Sequence, residues 1–510
     1  MYTNHRTVLF ATIAAAVALS VGSAWAQSTP GFNNKIPEKI MTPDSVETRI
    51  GTLKFFDGLP TKETATLVYD NLDFLRAVEV FINFLPAASL EAINVGSGEM
   101  GATAPNKVIV YDKLMDSNSL FLTGNTDTVY AFAMLNLEKD GPTVVEIPPG
   151  TGPGTVDDAF FRFVVDMGRP GPDKGKGGKY LIVPPGYQKK VPKGYFVARS
   201  ASYINLMALR GFLVDGKPDA ATGMFKKGLK IYPLSQAANP PAMEFISGSG
   251  STVNTIHAND VEFYSELAAV IAREPVELFD PELRGLAASI GIRKGKPFAP
   301  DERMKKILAE AAAVGNATAR AIAFQTRDPR ASYYKGSQWK AVIPSFDYRF
   351  LNDGGVGGRD LDGRADMFYQ ATLNTPAMVL KIPGVGSQYA AADHDKDGNL
   401  LDGAKTYKLN IPAHVPAKDF WSLVVYDPQT RSQLQTSQPF PSVNSKLSDF
   451  AVNADGSVDL YFGPAAPAGH EKNWIQTVSG KAWFCYLRLY GPLEAWFDKT
   501  WQPGDIELVR

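Results

Sequence analysis

Thr143-Val144-Val145-Glu146-Ile147 is a short run of β-branched residues set between Gly/Pro turn signals. Runs of the same kind surround it: Val108-Ile109-Val110-Tyr111, Val129-Tyr130-Ala131-Phe132, Phe160 to Val165, Tyr180-Leu181-Ile182-Val183 and Tyr195-Phe196-Val197. Runs rich in β-branched and aromatic side chains read as strands. Many short strands between turns predict a sandwich or barrel rather than alternating βαβ units.

Outward from this block the texture changes. Thr61 to Leu85 reads as a helix with Phe74, Leu75, Val78, Phe81, Ile82 and Leu85 on one face, ended by Pro86. From about Met207 to Ala331 helical spacing dominates. Asp260 is placed to cap a helix carrying Phe263, Leu267, Val270 and Ile271, and Pro300-Asp301-Glu302 opens another with Ile307, Leu308, Ala311 and Val314 inward. From about Ala341 strands return, with Asp-Gly hairpin cues around Asp455-Gly456 and in Asp393-His394-Asp395-Lys396-Asp397-Gly398-Asn399. The expected fold class is therefore β-rich α+β. Two β-sandwich (jelly-roll-like) domains, residues 43–205 and 345–510, flank a mainly helical region, 206–344.

The N-terminus reads as a targeting segment. His5 and Arg6 precede an apolar run from Val8 to Val21, then Ala24-Trp25-Ala26 and the polar Gln27-Ser28-Thr29. A basic start, a short apolar run and an A-x-A site describe a secretory signal peptide over residues 1–26. A membrane anchor needs about 20 apolar residues. Residues 27–42 follow as a polar, Pro-rich leader. The expected location is periplasmic or secreted, with no membrane span in the mature chain.

The 510 residues are 45% hydrophobic and 21% charged, with a net charge of −1. That balance is ordinary for a globular chain and gives no electrostatic footprint for nucleic acid. The single cysteine, Cys485, lies in an apolar strand-like run and reads as a buried thiol. Trp421, Trp474, Trp483, Trp496 and Trp501 read as sandwich core more readily than as a stacking platform. The mature histidines, His257, His394, His414 and His470, form no HExxH pair, and no GxSxG elbow is present. Gly96-Ser97-Gly98-Glu99-Met100-Gly101 matches a dinucleotide fingerprint in letters only, because it follows a helical segment rather than a strand.

Three motifs carry candidate chemistry. Asn125-Thr126-Asp127-Thr128 with Tyr130 opens an aromatic strand. Asp127 is the candidate base with Tyr130 as a second catalytic group, and Asn125 the ligand-binding partner on the same face as Asp127. An Asx-type turn is the competing account of the same residues. Tyr426-Asp427 with Thr430-Arg431 offers Asp427 and Arg431 as a ligand clamp or as a pinned loop, and Arg199 is a further ligand-binding candidate. Asp393, Asp395, Asp397 and Asn399 reproduce the first half of a calcium loop, but its twelfth position is Ala404 rather than a bidentate Glu. A calcium ion is the one cofactor this loop implies, against an exposed Asp/Gly hairpin tip.

Longer motifs carry a family resemblance. Asn125-Thr126-Asp127-Thr128-Val129-Tyr130, Gly171-Pro172-Asp173-Lys174-Gly175-Lys176-Gly177-Gly178-Lys179-Tyr180-Leu181, Pro184-Pro185-Gly186-Tyr187 and Arg199-Ser200 resemble the domain family of unknown function 1254. Gly386-Ser387-Gln388-Tyr389, Phe420-Trp421-Ser422, Tyr426-Asp427-Pro428-Gln429-Thr430-Arg431, Glu471-Lys472-Asn473-Trp474 and Arg488-Leu489-Tyr490-Gly491-Pro492 resemble family 1214. The resemblance implies paired sandwich-like domains, often exported, and transfers no catalytic residue.

Two functions fit these observations. One is a periplasmic hydrolase or lyase acting on an oxygen-rich small molecule or polysaccharide across an interdomain cleft. The other is a non-catalytic ligand-binding or envelope-associated protein, and either could form a homo-oligomer. Convergence separates them: the enzyme reading needs Asp127, Tyr130, Arg199 and Asp427 or Arg431 to line one cleft. Export itself is testable. N-terminal sequencing of the exported protein should begin at Gln27; a start at Met1 would refute the signal-peptide reading.

Overall fold

Strand alternation decides which side chains meet in this protein, seen here in a computed structural model that describes residues 36–447 and 449–509. The signal-peptide segment 1–26 and most of the leader lie outside the described residues. The chain divides into two units, residues 1–72 and 73–510. The described part of the first is an antiparallel sheet of Ser45–Thr48, Gly51–Phe56 and Leu59–Pro60, then the start of helix Lys62–Asn83.

The second unit holds two sandwich-like pairs of sheets. In the N-terminal pair, a six-stranded sheet runs in the order Glu244–Ser247, Lys107–Val110, Thr128–Asn136, Ile204–Phe212, Pro153–Asp158, Phe163–Gly168. It faces a four-stranded sheet ordered Phe196–Arg199, Gly178–Val183, Thr143–Ile147, Lys230–Pro233. Val129, Ala131, Met207 and Leu209 from the first sheet pack with Val145, Tyr180, Ile182 and Ile231 from the second.

The C-terminal pair is built the same way. A five-stranded sheet is ordered Lys340–Ala341, Ser387–Ala392, Phe484–Pro492, Ala417–Tyr426, Ser442–Asn444. Its partner is ordered Trp474–Gln476, Val458–Gly463, Tyr407–Ile411, Glu507–Leu508. Leu423, Val425, Leu487 and Leu489 meet Leu409, Ile411, Leu460 and Phe462 in one core, with Trp421, Trp483, Trp496 and Trp501 buried in it. Cys485 is in the same core, fully buried, its thiol pushed above the usual range by burial.

Helices Leu85–Glu99, Glu262–Arg273, Pro281–Ser289, Glu302–Phe324 and Leu361–Gln370 contribute to a third cluster. It covers the outer face of the six-stranded sheet, where Tyr130, Phe132, Met134, Leu206 and Ala208 point. Helix Glu302–Phe324 is long and apolar enough to cross a membrane by length and composition. Here Leu308, Ala311, Ala312, Ala319 and Ala323 are buried in the cluster. Asp301 caps it, accepting from the Met304 N–H at 2.8 Å.

Three local expectations change. Pro86 opens a second helix, Leu85–Glu99, instead of merely ending the first. In a first helical turn its missing N–H removes no hydrogen bond. Val314 points outward at 44% exposure. Strands continue past residue 205, through Ile204–Phe212, Lys230–Pro233 and Glu244–Ser247. Ile204–Phe212 is a central strand buried on both faces, so it shows no alternation and its apolar run looks helical in sequence.

That two-sided burial has a measurable signature. Leu206→Ala empties a site under the helices and Leu209→Ala one inside the sandwich. Each should cost about 2–5 kcal/mol in denaturant unfolding. If one of the two is nearly neutral, that face of the strand is not core.

Candidate functional site

The outer face of the five-stranded sheet is unusually polar. Alternation sends Leu423, Val425, Leu487 and Leu489 inward, so Ser422, Tyr426, Tyr486, Arg488 and Tyr490 face outward. They are nevertheless buried, because the N-terminal sandwich and the helical segment cover them. Register pairs Tyr389 with Arg488 and Ser387 with Tyr490 on the same face. Opposite stand Asp127, Tyr130 and Arg210, the last two cross-strand partners in the six-stranded sheet.

Asp127 fastens the two faces. Its Oδ2 accepts from Ser422 Oγ at 2.5 Å and from Tyr490 OH at 3.4 Å, and its Oδ1 accepts from Asn444 Nδ2 at 2.9 Å. Burial raises its carboxyl above the ordinary value. The hydrogen bonds from Ser422 and Asn444 and the charge of Arg488 pull the other way without cancelling it. Arg488 Nη2 donates to the Thr123 carbonyl at 2.5 Å and to Tyr426 OH at 2.6 Å. Thr126 Oγ1 and Ser442 Oγ, 3.0 Å apart, add a further link.

Asn125 takes its turn role. Its Oδ1 accepts from the Asp127 N–H at 2.9 Å and from Thr128 Oγ1 at 3.2 Å, while its Nδ2 donates to Tyr130 OH. The strand begins at Thr128, so Asn125 and Asp127 precede it and do not share a strand face. The Asx-type account holds for Asn125, whereas Asp127 reaches across to the other sandwich.

A cleft of about 560 Å³ opens beside this fastening. Asp127, Asn444 and Phe420 lie along it, with Arg169, Asp215, Asp419 and Lys446 supplying charge. Arg169 Nη1 bridges to Asp419 Oδ1 at 3.0 Å and its guanidinium lies 4.4 Å from the Phe212 ring centre. Lys446 Nζ lies 5.9 Å from that of Phe420, which is stacked on Tyr490 at 4.1 Å.

The other sequence candidates lie elsewhere. Arg199 is exposed and donates to the Tyr187 carbonyl at 3.1 Å. Asp427 pairs with Lys481 at 2.7 Å rather than with Arg431. Arg431 is fully buried, donates from Nε to the Tyr369 carbonyl at 3.1 Å and lies 4.2 Å from the Tyr369 ring centre. It pins its loop, as the Thr123 N–H to Arg431 carbonyl bond of 2.7 Å also does. Beside it, burial and the Arg431 charge lower His257 to about 3, so this imidazole is neutral at pH 7. Of the clamp and the pinned loop, the geometry has two separate anchors, Asp427 on Lys481 and Arg431 on Tyr369.

In the acidic loop Asp393 binds Lys340 at 2.5 Å and His394 at 2.5 Å. Asp395 Oδ1 accepts from the N–H groups of Asp397 and Asn399 at 3.0 and 2.9 Å. Asp397 and Asn399 are exposed. These carboxylates serve the chain's own donors, and no group of three or more His, Cys, Asp or Glu placed to hold a metal occurs among the described residues.

Sequence reasoning passed over Arg210, Tyr389, Ser422, Asn444, Arg488 and Tyr490 as site residues. The signal was a charge inside an apolar strand: Arg210 after Met207-Ala208-Leu209, and Arg488 between Leu487 and Leu489. A buried charge in such a run needs a partner from another element.

Comparison with known proteins agrees with this division. Residues 105–233 match the family described as protein of unknown function DUF1254, and residues 386–494 match protein of unknown function DUF1214. No curated protein matches the chain. The crystal structure of the VPA0106 protein from Vibrio parahaemolyticus is similar in fold at 17% identity and a TM-score of 0.53, covering 86% of this chain and 100% of that one. An uncharacterized protein from Burkholderia cenocepacia aligns at 12% identity and a TM-score of 0.37, over 88% of this chain and 96% of its own.

The fastening predicts a graded response at residue 127. Asp127→Ala removes the acceptor that Ser422 and Asn444 share and should cost about 3 kcal/mol or more in denaturant unfolding. Asp127→Asn keeps an acceptor and should cost clearly less. The raised carboxyl binds its proton more tightly folded than unfolded, so its contribution is best at low pH and falls as pH rises from about 4. Asp127→Asn should therefore improve relative to wild type between pH 4 and 7. A gap that widens against the variant over that range would contradict the assignment.

Proposed function

We propose that the protein is a non-catalytic binding protein that takes an oxygen-rich small molecule, of sugar or polyol type, in the cleft between its two sandwiches. The carrying observation is the cleft of about 560 Å³, within the 300–1,000 Å³ typical of ligand sites. Aromatic wall, charged rim and amide floor, as given by Phe212, Phe420, Arg169, Lys446 and Asn444, suit a ligand with an apolar ring face and many hydroxyls.

The enzyme reading is weaker. A general base must reach the proton it takes. Both Asp127 oxygens already accept from fixed donors, and Arg199, Asp427 and Arg431 stand away from the cleft. Recognition without chemistry needs none of these groups free. The A-x-A site at Ala24 to Ala26 supports a place outside the cytoplasm for this binding.

The test is a calorimetric and thermal-shift screen of the mature chain against monosaccharides, uronic acids and polyols. A ligand should raise the apparent Tm by mass action, and Phe420→Ala should weaken it about tenfold or more. Turnover of the ligand in the same samples, or binding indifferent to Phe420 and Lys446, would overturn the reading.

A further inference from the structure

Behind the fastening lies a second, smaller space of about 30 Å³, lined by Tyr130, Arg210, Tyr389, Tyr486 and Arg488 among others. About 10–15 Å³ suffices for one water, so this space takes two waters or one larger monoanion. Its polar lining consists of two guanidiniums and several hydroxyls. The Arg488 Nε and the Tyr486 hydroxyl have no hydrogen-bond partner, and the Tyr389 hydroxyl sits beside Arg210 and Ser387. Arg210 makes one long contact, Nη1 to Ser387 Oγ at 3.4 Å, with its guanidinium 5.6 Å from the Tyr130 ring centre. Arg488 stands 5.2 Å from that of Tyr389.

Charge makes the space informative. Arg210 and Arg488 are 7% and 4% exposed, and no carboxylate lines the cavity. Asp127, the nearby acid that feels Arg488, is held by Ser422, Asn444 and Tyr490. Two buried guanidiniums that share one nearby carboxyl, Asp127, are costly, and water supplies dipoles but no charge. The surrounding phenols register the same field. Burial raises the Tyr389 hydroxyl, and the charges of Arg210 and Arg488, together with hydrogen bonding to Arg210 and Ser387, more than reverse that rise.

We propose that this cavity is an anion site, holding one chloride or one formate-sized carboxylate between Arg210 and Arg488 with the Tyr389 and Tyr486 hydroxyls as further donors. The site is separate from the open cleft and does not depend on the reading given for it. The anion supplies a second counter-charge at the seam of the two sandwiches and accepts from the unpartnered Arg488 Nε and Tyr486 hydroxyl.

The experiment uses the mature chain. Crystals soaked in sodium bromide should show an anomalous peak in the cavity. In solution, chlorine-35 NMR lines of sodium chloride should broaden with protein and sharpen again when sodium formate competes. Tyr389→Phe removes one donor but neither charge, and should weaken chloride about tenfold. Arg488→Gln should abolish the broadening where the variant folds. No bromide peak, or broadening unchanged in Tyr389→Phe, overturns the proposal in favour of a water-filled cavity.

Discussion

A carboxylate that leaves one sandwich and is satisfied only by the other sets the terms for the rest of this structure. Asp127 belongs to the turn before strand Thr128–Asn136, yet its acceptor capacity is met by Ser422, Asn444 and Tyr490 of the C-terminal sheet. Arg488 returns the relation, reaching from the C-terminal sheet to the Thr123 carbonyl. A seam made this way is specific rather than merely adhesive. Sliding one sheet by a residue would strand a buried charge on each side, at a cost that apolar contact would not incur.

The apolar cores permit that seam. Each sandwich completes its own interior, through Leu209 and Val145 in one and Leu423 and Leu460 in the other, and so has its outer face to spare. The helical cluster takes part of that face, where Phe132 and Leu206 point. What is left is the polar strip around Asp127, Arg210 and Arg488. The cleft and the smaller cavity both lie along it, because a joint built from hydrogen bonds fills space less completely than interdigitated aliphatic side chains.

The legible part of this architecture is the part governed by local rules. Thr143–Ile147 and Tyr180–Val183 announce their strands by β-branched content, and Asp301 announces its helix by position. Ile204–Phe212 hides because burial on both faces erases the period that identifies a strand. At the site, Asp127 and Tyr130 stand out as polar residues beside an apolar strand, and both lie on the seam. Asp427 and Arg431 stand out equally and anchor loops. Their roles depend on Lys481 and Tyr369, partners 54 and 62 residues away that no local pattern names. Arg210 and Arg488 were visible as charges in apolar runs, but that they face one cavity follows only from how two separate sheets meet.

The single thiol has a different use. Cys485 sits in the middle strand of the five-stranded sheet, fully buried and shifted away from the reactive thiolate. Burial in the native state shields it from alkylating reagents. Its labelling rate therefore counts how often the C-terminal sandwich opens, and at low reagent the rate converts to an opening free energy for that sandwich alone. The molecule thus carries its own clock: one native side chain reports breathing in one half of the fold, with no engineered label.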